Sequence, residues 1–188
     1  QLGLLTGDYD MALETVENVL ETEPDNHVAH YYKGVVLGSR AETIENPGER
    51  QPYYQRARES FDTAKSLMTE LEELPAEYEE LENTVISFWA DEYNAGVNIQ
   101  NDDSLFNATE NPYEVSLAHF KNAATINPDR SMTYQVMSST YFQLDDVENA
   151  ITTYETAIDL LEQPAADDYE YLISLYLYEN RYDDAIRL

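Results

Sequence analysis

Apolar and small side chains return at steps of three and four residues through most of this chain, and they do so in blocks that repeat one another. Tyr134, Met137, Ser138 and Tyr141 mark the face of one helix. Ala150, Tyr154 and Ala157 mark the face of the next. Tyr169, Leu172, Ile173 and Tyr176 then restart the first pattern, and Ala185 falls where the second resumes. Spacing of this kind is that of amphipathic helices, and it predicts paired antiparallel helices from about Ser131 to Ala185.

The same frame fits earlier segments. Gly7-Asp8-Tyr9-Asp10-Met11-Ala12-Leu13, with Val16 and Val19, reads as a second helix of a pair, closed by Pro24. His27 opens the next first helix, with His30 at the large position, Gly34 at the small one and Leu37 after it. Its partner is Tyr53 to Met68, with Ala57, Phe61 and Ala64 in register. A third pair shows Tyr93, Gly96, Val97 and Ile99, then Phe120, Ala123 and Pro128. Pro24 and Pro128 each precede Asp, where a helix must stop.

A large residue, a small residue and an aromatic on the first helix, then Ala, an aromatic and a turn on the second, resemble the tetratricopeptide repeat. The resemblance covers nearly the whole chain. It implies an all-α, right-handed α-solenoid of antiparallel helix hairpins, because one hairpin cannot bury its apolar faces alone and a stack of them can. The expected organisation is a single array over 1–188: a partial repeat at 1–26, a repeat with a long inter-helix loop at 27–70, and one with an extended first helix and an inserted loop at 71–130. A repeat at 131–165 and a partial repeat at 166–188 complete it. Gln1 to Thr6 would supply only the tail of a first helix, and Leu188 falls inside a second one. Both cuts fit part of a longer array or a processed chain.

Departures from the frame carry their own expectations. Ser39 to Pro52 and Asn101 to Asn111 are rich in Asn, Asp, Gly, Pro or Ser and read as lengthened loops. Leu71, Leu74, Tyr78, Leu81, Val85 and Phe88 form an added amphipathic stripe. Pro75 sets a helix start, giving a helix from Ala76 to about Gln100. Asn111-Pro112-Tyr113-Glu114 reads as a capped helix start, and Asp145 with Glu148 as a capping-box-like one.

Charge changes the picture most. Asp and Glu number 38 against 10 Lys and Arg, a formal net charge of −28. Nucleic acid and anionic membrane surfaces are disfavoured as partners, since both need cations to neutralise phosphate. The remaining readings are a solvated acidic surface of the kind found in salt-loving organisms, favoured by dispersed acids and scarce lysine, or an acidic groove selecting a basic partner. No apolar run reaches the roughly 18 residues of a membrane span, so this segment does not insert in a membrane. Cysteine is absent, which removes disulfide and thiol chemistry and leaves the compartment open, cytoplasmic or extracytoplasmic after signal removal.

Candidate chemistry is thin. His27 and His30 share a helix face near Asp25, but a third metal ligand does not follow, and His30 stands at a packing position. His119 has no evident partner in the sequence. Acid pairs at Asp102-Asp103, Asp145-Asp146 and Asp167-Asp168 sit at helix starts, where acids favour the dipole. Nucleophile elbows, phosphate loops and zinc-protease motifs do not occur. Neither an enzyme nor a cofactor is expected.

The tetratricopeptide resemblance implies a non-catalytic scaffold that binds a peptide or a partner helix in its concave groove. By position in the repeat, that groove would comprise Tyr31, Val35, Tyr93, Asn94, Val97, Gln135, Ser139, Phe142, Glu170 and Ser174. Some members of the family grip a C-terminal carboxylate with Lys, Arg and Asn; Asn94 matches, whereas Tyr31, Met132, Gln135 and Val136 stand at the cationic positions, so that clamp is not expected. A second reading is a cell-envelope assembly factor, lipid-anchored in the intact protein, that acts through its convex face or loops. An enzyme with an appended repeat array would need a catalytic domain outside this segment.

Overall fold

The computed structural model describes residues 7–188; the tail expected at Gln1 to Thr6 lies outside the described residues. Among these, helices are the regular elements: α1 Tyr9–Thr22, α2 His27–Glu42, a 3-10 turn Pro47–Glu49, α3 Gln51–Thr69, α4 Ala76–Asn101 and α5 Asp103–Ala108. Then follow α6 Pro112–Ile126, α7 Ser131–Gln143, α8 Val147–Asp159, α9 Ala166–Tyr178 and α10 Tyr182–Arg187. The fold is all-α, of the helix-hairpin solenoid class, with α2 packed on α1 and α3, α7 on α8, and α9 on α8 and α10. None of the described helices is long and apolar enough to cross a membrane.

Short polar side chains start the helices. Asp8, Asn26, Asp102 and Asp146 accept hydrogen bonds from backbone amides of the first turn of α1, α2, α5 and α8. These amides have no partner inside the helix, and capping one adds about 1 kcal/mol. The start expected at Asp145 is thus moved by one residue: Asp145 takes the left-handed conformation, φ 60°, and Asp146 caps. Pro75 and Pro112 do stand where helices begin.

The loop expected at Ser39 to Pro52 is shorter than its composition suggests, spanning 43–50. α2 continues to Glu42 and α3 already begins at Gln51. Ser39-Arg40-Ala41-Glu42 is polar enough to read as loop, but Ala41 is fully buried, and burial outweighs weak local propensity. Pro52 is accommodated in the first turn of α3, where a missing amide costs nothing. The insertion at Asn101 to Asn111 likewise contains the short helix α5.

The helices sort into two compact units whose boundary falls within α4. The first runs to Asp91 and takes in Thr125–Asn127; the second comprises Glu92–Ala124 and Pro128–Leu188. In the first, Tyr31, Leu37, Tyr54, Phe61, Met68, Leu81 and Phe88 share one core. Two glycines let that core close. A β-carbon on Gly34 would lie 2.5 Å from the ring of Phe61, and one on Gly38 would lie 2.5 Å from the ring of Phe88. Gly34 and Gly38, one turn apart on α2, therefore admit an aromatic from α3 and another from α4. Burying each ring contributes about 1.5–3 kcal/mol.

The second unit repeats the device. Gly96 on α4 lies beneath Phe120 of α6, again at 2.5 Å from a built β-carbon. Around Phe120 pack Leu117 and Met137, with Tyr93 and Val97 partly buried. A neighbouring cluster joins Val147, Ile151, Tyr154, Leu172, Leu175 and Tyr176. In the α7–α8 hairpin the small position is Ser138, whose buried hydroxyl donates to the Ala150 carbonyl at 2.7 Å.

His119, without a partner in the sequence reading, has one. Its Nδ1 lies 2.7 Å from Oε2 of Glu92, and Asn122 donates to the same oxygen at 3.2 Å. Glu92 and Asn122 are 1 % exposed and His119 8 %, so this polar cluster is built into the interior between α4 and α6.

Candidate functional site

The residues assigned to a groove fall into both units, and each unit has its own arrangement. In the first, Tyr31 is withdrawn into the core. Its ring is 7 % exposed and tilts against Phe61, and its hydroxyl pairs with Thr84 at 3.2 Å. Burial, foremost, raises its pKa above the usual tyrosine value. Little of Tyr31 remains for a partner. The groove position is occupied by a side chain that the added stripe of α4 covers, and the stripe's effect on α2 is not visible in the repeat frame. Val35, half-buried, packs against the same core.

In the second unit, α4 contributes Tyr93, Asn94 and Val97. Tyr93 lies with its ring 6.0 Å from that of Phe120, and burial raises its pKa. Val97 packs on the same cluster, whereas Asn94 is exposed. Gln100, one turn beyond Val97, donates to Thr140 of α7 at 2.8 Å.

The remaining candidates form an ordered ladder between α7 and α9. Gln135 donates to Oδ1 of Asp168 at 3.2 Å. Ser139 lies 3.5 Å from the hydroxyl of Tyr171, a weak contact. Phe142 meets Tyr178 edge to face, centroids 5.3 Å apart. Numbers rise together on both helices, so α7 and α9 run parallel, as the first helices of successive hairpins must. Glu170 and Ser174 are exposed on α9; the Ser174 hydroxyl donates to the Tyr171 carbonyl at 2.6 Å.

Asp168 is the hub of this ladder and was read in the sequence only as a helix-start acid. Its Oδ2 accepts the Ala165 amide at 2.8 Å, and its Oδ1 accepts both Gln135 and, at 3.3 Å, the Tyr154 hydroxyl. Burial and then the Asp168 charge push the Tyr154 pKa up to about 12. Tyr176 is likewise raised to about 12, by burial and by its hydrogen bond to Glu155. Asp168, Tyr171 and Tyr178 share one face of α9 at helical spacing, which is the signal that could have found them. What hid them is that contacts between successive hairpins join positions that are not equivalent within the repeat.

A face of this composition, with hydroxyl, amide, carboxylate and aromatic edges, offers hydrogen bonds and flat apolar area. The fold and the ladder define a helix-hairpin repeat protein with an open helix face. Residues 133–162, which hold α7 and α8, match the family model described as tetratricopeptide repeat. Residues 133–162 thus carry one tetratricopeptide repeat. No curated protein matches it. Solved structures similar to it include MamA residues 41-end from Desulfovibrio magneticus RS-1, at 16 % identity and TM-score 0.44, covering 100 % of this chain and 85 % of that one. An assembly chaperone of RpL4 is 14 % identical with TM-score 0.42, covering 98 % and 83 %. YrrB, described as a tetratricopeptide protein with an unusual peptide-binding site, is 16 % identical with TM-score 0.33, covering 96 % and 87 %.

Proposed function

We propose that this protein is a non-catalytic interaction scaffold that holds a peptide or a partner helix on the exposed faces of its first helices. On this reading 27–70, 71–130 and 131–165 are its complete repeats, flanked by partial ones. The observation that carries the proposal is the α7–α9 ladder, a preformed row of polar and aromatic groups on rigid helices. Preorganised groups recognise a partner at little conformational cost, and extended or helical partners suit such rows.

The exposed members, Asn94, Ser139, Glu170 and Ser174, are the positions to test, because Tyr31 and Tyr93 also support the core. A partner recovered by affinity capture with the wild-type chain should be lost with Ser139→Arg or Ser174→Arg, while circular dichroism and melting stay unchanged. Capture that survives both substitutions, yet disappears when residues 43–50 are replaced by a Gly-Ser linker, would move the function from the groove to the inter-helix loop.

A further inference from the structure

From Ser131 to Tyr178 the chain has nine Asp and Glu and not one Lys, Arg or His. This stretch covers all of α7, α8 and α9, so the ladder stands on helices that supply no cation of their own. Of the cations bordering this stretch, Lys121 lies over the Tyr141 ring at 5.4 Å, and Arg181 lies over the Tyr176 ring at 4.7 Å and pairs with Asp184 at 2.7 Å; Arg130 immediately precedes α7. Asp168 is oriented by three neutral donors, which fix its geometry without cancelling its charge. Beside it on α9, Asp167 and Glu170 are exposed.

The ladder also has a direction. Its anionic end is Gln135 and Asp168, and its aromatic end is Phe142 and Tyr178, with Tyr178 58 % exposed and its neighbour Leu177 48 % exposed. Seven residues on α7 and ten on α9 separate the two ends, about 10–15 Å at the helical rise. An extended chain spans that with about three to five residues. Arginine suits the anionic end better than lysine, because its planar donors meet a fixed carboxylate and it stacks on tyrosine.

We propose that the α7–α9 face binds an extended segment bearing an arginine at the Asp168 end and an apolar side chain about three to five residues away, on Phe142 and Tyr178. This rests on the groove reading above and adds the chemistry of the partner to it. Charge complementarity of this kind sets specificity and speeds encounter more than it adds affinity.

The test is selection of a random dodecapeptide display library on the full chain, followed by fluorescence anisotropy with a labelled peptide that emerges. The selected sequences should pair arginine with an apolar residue at that separation. Asp168→Asn, which removes the charge and leaves one acceptor oxygen for the Ala165 amide, should weaken the selected peptide about five- to tenfold, and its Arg→Gln version about twofold at most. Should Asp168→Asn disturb the fold in circular dichroism, the exposed Glu170→Gln carries the same comparison. Sequences without a basic residue, or equal weakening of both peptides, overturn the arginine assignment and leave the groove reading standing. Peptides that bind Ser139→Arg and Tyr178→Ala as well as wild type overturn both, as does a library from which nothing is enriched.

Discussion

Phe61 lies over Gly34 so closely that a β-carbon there would stand 2.5 Å from its ring. Phe120 stands over Gly96 in the same way. Neither ring can retreat, since each is 1 % exposed or less and packed on all sides. Gly34→Ala and Gly96→Ala should each lower stability by about 1–3 kcal/mol, despite alanine's better helix propensity. Thermal melts read the effect. Phe61→Leu should recover part of the Gly34→Ala loss in a double-mutant cycle, whereas strictly additive losses would show that the two side chains do not touch.

Ala157 tests the same logic in the repeat at 133–162. It is fully buried where α8 meets its neighbours. Ala157→Leu should overpack this contact at a cost of about 1–3 kcal/mol. A melting temperature equal to wild type would mean that the interior there has room the packing denies.

Glu92, His119 and Asn122 form a buried polar cluster in the second unit. His119→Ala strips a hydrogen bond from a carboxylate that is 1 % exposed. The loss should be about 1.5–3 kcal/mol, the range for hydrogen bonds to charged groups. Replacement of Glu92 and His119 together by Leu and Phe should be far milder than the sum of the single changes, because no buried polar group is then left half-satisfied. Urea titrations distinguish the cases; additivity would place the two residues in separate environments.

These particular residues separate what was legible in the sequence from what was not. Gly34 with Phe61 and Gly96 with Phe120 stand at equivalent positions of two hairpins, a small residue on the first helix and an aromatic on the second, so both pairs can be read from the repeat pattern. Glu92 cannot, since it follows exposed Asp91 in a long acidic helix and looks like another solvated acid. Asp168 reads as an acid of the helix start, where it accepts the amide of the N-cap residue Ala165, and its second task depends on the neighbouring hairpin's offset. Tyr31 shows the converse. Its repeat position faces a groove, but the extended α4, an addition to the frame, brings Thr84 over it.

Tyr154 and Tyr176 predict an alkaline instability. Both have pKa values raised to about 12, chiefly by burial, against the ordinary tyrosine value of 10.0. Raised values mean that the folded state holds the phenol protons more tightly than the unfolded chain. The resulting stability is fully present below pH 10 and is lost as pH climbs from 10 toward about 12. Tyr154→Phe and Tyr176→Phe together should flatten the fall in urea midpoint across that window relative to wild type. An unchanged slope would assign the alkaline loss to other groups.

The net charge of −28 makes the last prediction. Like charges on neighbouring helices repel one another, and the compact state concentrates them. Screening shortens from about 10 Å at 0.1 M salt to about 3 Å at 1 M, so most of this repulsion should vanish over that range. The melting temperature is therefore expected to rise strongly with KCl, as in proteins adapted to salt. Salt also strengthens apolar burial, so sucrose, which does that without screening charge, is the control. A rise in KCl well beyond that in sucrose assigns the acidity to salt adaptation. Equal stabilisation by the two would mean that repulsion never limited this fold. The acids around Asp168 and Glu170 would then be better explained by a basic partner than by a saline solvent.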